Sequence, residues 1–163
     1  MKKIIILGIL SLLATACGSS ATSTSSSNTS NSNSALSPIQ ITEWGVQFTP
    51  VSSISDLRYA IDPNHTDTAN FSSASLISLD QQSGGSGCAT ANAPLGTLSR
   101  VGDFSAFTST GRSVPKYVQV GTYYYYYSPQ QGSCSTNLAV QNLQTLQAQD
   151  MNSALNSLKA STK

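Results

Sequence analysis

Between Ser19 and Ser37 the chain is nearly all Ser, Thr and Asn, with no aromatic and no charged side chain. Such a stretch cannot bury enough apolar surface to offset the entropy lost on ordering it, so the composition predicts a disordered tether. As a flexible coil it would span about 25 Å on average and roughly 65 Å at full stretch. A packed core can then form only on the C-terminal side of the tether. Residues 38–163 are expected to make a single domain with a modest core.

Ahead of the tether, two lysines (Lys2, Lys3) precede an apolar run from Ile4 to Leu13, which gives way to Ala14-Thr15-Ala16-Cys17-Gly18. A basic start, a short apolar run and small residues before a cut make a secretory pattern. The run is about ten residues long, whereas a membrane span needs roughly 20. Ordinary cleavage after Ala-Thr-Ala fits these residues. With Cys17 directly after the cut, they also resemble the lipobox of bacterial lipoproteins, although Ala14 stands where leucine is usual. That resemblance implies a signal peptide over 1–16 and diacylation (palmitate-type chains) of Cys17, which would become the first residue of the mature chain. It places the protein on the cell membrane or outer membrane, facing outside the cytoplasm. Two acyl chains suffice for stable attachment, at about 0.8 kcal/mol per buried CH₂.

The chain has three cysteines, an odd number that an exported protein rarely leaves unresolved. Using Cys17 for lipid leaves Cys88 and Cys134 as an even pair in an oxidising compartment, where a disulfide is expected. The other option for the pair is a catalytic thiol and a spare, but no sortase-like T-L-x-T-C string is present. Losing Lys2 and Lys3 takes the basic side chains from eight to six, against seven acidic ones. That balance argues against a nucleic-acid partner, which needs clustered Lys and Arg.

Periodicity supplies a coarse structure. Ile39-Gln-Ile-Thr-Glu-Trp44 alternates and reads as a strand that continues through Val46 and Phe48 after Gly45. Leu57 to Ile61 is a second strand, ended by Asp62-Pro63-Asn64. Ala69 to Leu79 fits a strand through Phe71 or a short helix capped by Ser72 or Ser73. Gln81 to Gly87 reads as a loop leading to Cys88. Leu98 to Phe104, Tyr117 to Val120 and Thr122 to Tyr127 are further strands. Val140, Leu143, Leu146, Met151, Ala154, Leu155 and Leu158 recur at helical spacing, with Ser135, Thr136 or Asn137 as caps. The expected class is α+β: a small antiparallel or mixed sheet packed on a long C-terminal helix, with one disulfide stapling that helix's start to the Cys88 loop.

The feature richest in chemistry is Tyr123-Tyr124-Tyr125-Tyr126-Tyr127. On a strand, Tyr123, Tyr125 and Tyr127 share one face while Tyr124 and Tyr126 share the other. The rings can build an aromatic platform for sugar or peptide, or simply fill a β-prone central strand. One set is expected to lie against Leu143, Met151 or Leu155, and at least one ring to remain exposed. Trp44, the sole tryptophan, is either core packing or a ligand-stacking ring. Arg58, inside an apolar strand, reads as a snorkelling or ion-paired side chain.

Catalytic sets are tested by what they require. His65 is the only histidine, so a multi-histidine metal site is impossible and a nucleophile–His pair has one candidate base. Asp62 to Asp67 lacks the Gly and the bidentate Glu of a calcium loop. Ser113-Val-Pro-Lys116 matches a bare S-x-x-K string, but Pro115 pushes Val114 out of the helix that string needs. No catalytic residue, metal or cofactor is expected.

Glu43-Trp-Gly-Val46, Tyr123 to Pro129 and Cys134-Ser135 ahead of a terminal helix together resemble small, membrane-anchored, uncharacterised exported proteins of Saccharibacteria-type (Patescibacteria) bacteria. The resemblance implies an extracytoplasmic surface domain, supports pairing Cys88 with Cys134, and supplies no activity. The reading is therefore a surface-anchored lipoprotein with a non-catalytic binding or envelope-assembly domain, its partner an envelope protein or glycan. The rivals are an envelope hydrolase using His65 and a purely structural envelope component.

Overall fold

The structure, a computed structural model, describes residues 36–162. The proposed signal peptide, Cys17 and nearly all of the tether lie outside them. Strand β1 (Ile39–Ile41) does not run on into Val46 as the alternation suggests. Thr42–Trp44 coil into a 3-10 turn, and Gly45 takes a left-handed φ of 63° that reverses the chain. Without a Cβ, glycine enters that conformation at little cost. Strand β2 (Val46–Phe48) therefore folds back on β1, setting Ile39 opposite Phe48 and Ile41 opposite Val46.

Strands β3 (Leu57–Asp62) and β4 (His65–Ser73) form an antiparallel hairpin. Its turn is held by the Asn64 N–H donating to Asp62 Oδ1 at 2.8 Å. The ambiguous stretch from Ala69 to Leu79 is both strand and helix, divided at Ser73. That residue ends β4 and caps α1 (Ala74–Gln82), its hydroxyl accepting from the Leu76 N–H at 3.2 Å. Cys88 sits in a short helix, α2 (Gly87–Thr90), rather than in a loop. Then come β5 (Thr97–Val101), α3 (Ser105–Ser109), β6 (Tyr117–Val120) and β7 (Tyr123–Ser128). The C-terminal helix α4 (Leu138–Ala154) is capped by Asn137, whose side chain accepts from the Ala139 and Val140 N–H groups. A 3-10 turn over Leu155–Ser157 leads to β8 (Lys159–Ala160). Leu158 follows that turn in extended conformation instead of continuing the helix.

The strands make two sheets, ordered β1-β2-β8 and β3-β4-β5-β7-β6, and every pairing is antiparallel. With the long terminal helix and the disulfide, this is the expected α+β class. One apolar cluster joins both sheets and α4 through Ile41, Phe48, Phe71, Leu98, Val140 and Met151. Phe48 meets Phe71 edge to face, with centroids 6.1 Å apart, where the small sheet packs against the large one.

The buried face of α4 differs from the apolar stripe in the sequence. Val140, Gln144, Gln147, Met151 and Ala154 are buried, at helical spacings of three and four, whereas Leu146 is 48% exposed. Two glutamines replace leucine because each meets polar groups that need a partner. Gln147, fully buried, accepts from the Ser73 hydroxyl at 2.8 Å and donates to Ser53 O at 2.8 Å and Ser75 Oγ at 3.0 Å. Gln144 donates to Pro94 O at 2.6 Å and accepts from the Ser133 hydroxyl and the Cys134 N–H.

Cys88 and Cys134 form the disulfide, with Cα atoms 4.8 Å apart and a sequence separation of 46. It ties α2 to the segment entering α4. A side chain at Gly87 would collide with the Cys134 carbonyl oxygen, so this close approach depends on glycine.

Candidate functional site

Alternation along β7 separates the tyrosines as expected. Tyr125 and Tyr127 belong to the core side, where they line a narrow gap with Leu155 and Leu158 beyond the end of α4. The Tyr127 hydroxyl donates to the Leu95 carbonyl, and burial pushes its pKa above the usual tyrosine range. Burial raises Tyr125 as well, against the opposing influence of Arg100. Tyr123 shares their face but sits at the strand's start and is 40% exposed.

Trp44 is not brought to a ligand-facing position. It is buried, its indole N–H donates to Thr66 O at 3.1 Å, and its ring lies 6.0 Å from that of Tyr125. Arg100 is held between Trp44 and Tyr123, its guanidinium 5.1 and 4.9 Å from the two ring centroids. The same side chain donates to Asp67 Oδ1 at 2.6 Å. A cation over two aromatic faces and beside a carboxylate is fully partnered, so Arg100 closes this end of the core.

Tyr124 and Tyr126 point away from that core. Tyr117, opposite Tyr126 on the edge strand β6, joins them on the outward face. Helix α3 brings Phe104 and Phe107 across it: Phe104 lies 4.9 Å from Tyr117 and 5.1 Å from Tyr124, and Phe107 meets Tyr126 edge-on at 5.4 Å. Tyr117 remains 46% exposed. Tyr124, Tyr126, Phe104 and Phe107 are half-buried. The sequence hid this cluster: Phe104 reads as the end of a strand that in fact stops at Val101, Phe107 stands in an unpatterned stretch, and only tertiary folding lays both over the tyrosines.

Next to the aromatic group, the same face carries hydroxyls. Thr68 lies opposite Ser99, and Ser99 opposite Tyr126, so hydroxyl, hydroxyl and phenol ring form a row across three strands. The row runs into an open hollow of about 400 Å³, bounded by Asn64, His65, Thr66, Val101 and the backbone or side chains of Asp67 and Arg100. Imidazole Nδ1 of His65 lies 3.3 Å from Asp62 Oδ2. The Asn64 N–H, then the imidazole, hold the Asp62 carboxyl below its usual range. Among the hydrogen bonds of the described residues, none joins a Ser or Thr hydroxyl to that ring.

A second concavity, of about 430 Å³, runs beside α4 between Gln141, Gln149, Asn152 and the Pro94 and Pro129 rings. It has no aromatic side chain, and Gln144 and Gln141 within it are engaged in holding the chain before α4. The sheet face is therefore the stronger candidate. Among the described residues no helix is long and apolar enough to cross a membrane. No protein-family model, curated protein or solved structure matches the chain.

Proposed function

We propose that the chain is a lipid-anchored surface protein whose domain binds an envelope partner without catalysing a reaction. The observation that carries this reading is the outward face of the five-stranded sheet. It holds Tyr117, Tyr124 and Tyr126 under only a five-residue helix, beside an uncapped row of hydroxyls. A solvent-facing sheet side normally has no use for so many rings, and exposed aromatic groups are a common mark of recognition surfaces. Anchor and tether supply the placement: Cys17 holds the membrane and residues 19–37 give the domain reach.

Two measurements test the reading. Mass spectrometry of the mature N-terminus is expected to find a diacylglyceryl group on Cys17, and Cys17→Ser to release the protein into the medium. Crosslinked surface pull-down is expected to lose its partner on Tyr124→Ser/Tyr126→Ser. Retention of every partner by that double variant, with the fold intact by circular dichroism, would remove the tyrosine face from the function.

A second reading, an envelope hydrolase, is favoured by one observation: His65, which faces Asp62, borders the same hollow as Ser99. An imidazole oriented by a carboxylate is the arrangement a general base needs. Turnover of cell-wall material abolished by His65→Ala would select this reading over the first.

A further inference from the structure

We infer that the hollow at Thr68, Ser99 and Tyr126 is a binding site for an uncharged saccharide. The inference rests on the binding role proposed above and names its ligand class. Three properties of the surface point the same way.

The first is charge. Alternation on β4 and β5 directs Thr66, Thr68, Ser99 and Val101 outward with Tyr126. Asp67 and Arg100 belong to the opposite side of the sheet, where they neutralise each other at 2.6 Å. His65, on the parity of Asp67, also lines the hollow, and it already faces Asp62. The charged side chains that line the hollow, Asp67 and Arg100, are already paired with each other, so an anionic or cationic ligand would find no unpaired counter-charge here, and removing it from water uncompensated is costly.

The second is hydrogen-bonding type. Hydroxyls of Thr66, Thr68 and Ser99 and the amide of Asn64 each both donate and accept. Sugar hydroxyls have the same double character, so each can be matched in either direction. None of the four side chains makes a hydrogen bond to another side chain within the described residues, which leaves them available to a ligand.

The third is the ring. Phe107 packs edge-on to Tyr126 at 88°, which fixes the phenol plane, and the neighbouring Phe104 and Tyr124 continue the aromatic surface. The C–H face of a pyranose can lie on such a ring while its rim of hydroxyls reaches the serine and threonines. A hollow of about 400 Å³ falls within the ordinary range for small-ligand sites. An extended peptide fits less well, since the hollow offers its side chains no apolar pocket.

The test is an array of neutral oligosaccharides, including chitotetraose and maltotetraose, with an oligogalacturonate as the charged control, probed with the full-length protein in detergent. Wild type is expected to retain at least one neutral oligosaccharide and not the charged control. Thr68→Val, which keeps size and strand preference, and Ser99→Ala are each expected to weaken that binding about 5- to 10-fold. Tyr126→Ala is expected to weaken it more than 10-fold, and Tyr123→Ser, on the other face, less than 2-fold. Equal binding by wild type and Thr68→Val/Ser99→Ala would overturn the site. If wild type binds no neutral oligosaccharide, yet Tyr124→Ser/Tyr126→Ser still loses a crosslinked protein partner, the saccharide assignment falls and the tyrosine face stands. If neither effect is seen, both fall.

Discussion

Gln147 shows how much one side chain can decide. It occupies a place on α4 where packing alone would favour leucine, and it makes three hydrogen bonds to residues of the 50s and 70s. Replacing it with an apolar group of similar size leaves the Ser73 O–H without its 2.8 Å acceptor and the Ser53 carbonyl without the Gln147 donor. Each buried orphan costs about 1–3 kcal/mol. Gln147→Leu is accordingly expected to lower unfolding free energy by about 2–4 kcal/mol in urea titrations. Leu146→Gln, one residue earlier and facing solvent, is expected to change it by less than about 0.5 kcal/mol. The reverse order of effects would mean that the helix buries its leucine face.

At the scale of elements, three short pieces meet around one carboxylate. Asp80, buried near the end of α1, accepts from the Cys88 N–H of α2 at 3.0 Å. That bond, followed by the Ser135 hydroxyl and set against the penalty of burial, holds its pKa below the usual 3.8. A carboxyl whose pKa is lower folded than unfolded adds stability at pH above the unfolded value. The contribution disappears as pH falls through the folded value. Asp80→Asn should therefore melt below wild type at neutral pH, with the gap narrowing below about pH 4. A gap that stays constant from pH 7 to pH 3 would show that the charge is not what joins α1 to α2. Gly85 belongs to the same junction, since a side chain there would strike the Asp80 carboxylate.

For the whole molecule, the disulfide closes a loop that contains most of the large sheet. Its two ends are 46 residues apart, and β5, β6 and β7 lie between them. In the chain-entropy picture, closing such a loop stabilises the fold by about 4 kcal/mol, an upper figure because residual structure in the unfolded chain reduces it. Cys88→Ala/Cys134→Ala is expected to lower the melting temperature by roughly 15 °C, taking about 4 °C per kcal/mol for a domain between the 60–100-residue and 150–250-residue classes. Both sheets share one core through Phe48 and Phe71, so Trp44 fluorescence and far-ultraviolet circular dichroism should report the same transition in each protein. A variant melting within about 2 °C of wild type would show that the core alone suffices.

Local and compositional rules made much of this legible. Alternation identified the strands at Leu57, Tyr117 and Tyr123, capping chemistry put Ser73 and Asn137 among the candidate caps, and cysteine parity identified the Cys88–Cys134 pair. Alternation also required that the five tyrosines divide between two faces, because successive strand residues point opposite ways. Which face met the core was a tertiary matter, settled when Leu98 came opposite Tyr127 and Val118 opposite Tyr125 in the sheet. The reversal at Gly45 likewise needed a partner strand, since the residues on both sides of it alternate in the same way. Gln144 and Gln147 read as surface until the carbonyls and hydroxyls of distant segments arrive to satisfy them. The candidate site has the same origin: Thr68, Ser99 and Tyr126 are scattered in sequence, and antiparallel register alone sets them side by side, because hydrogen bonding between strands fixes which residues become neighbours.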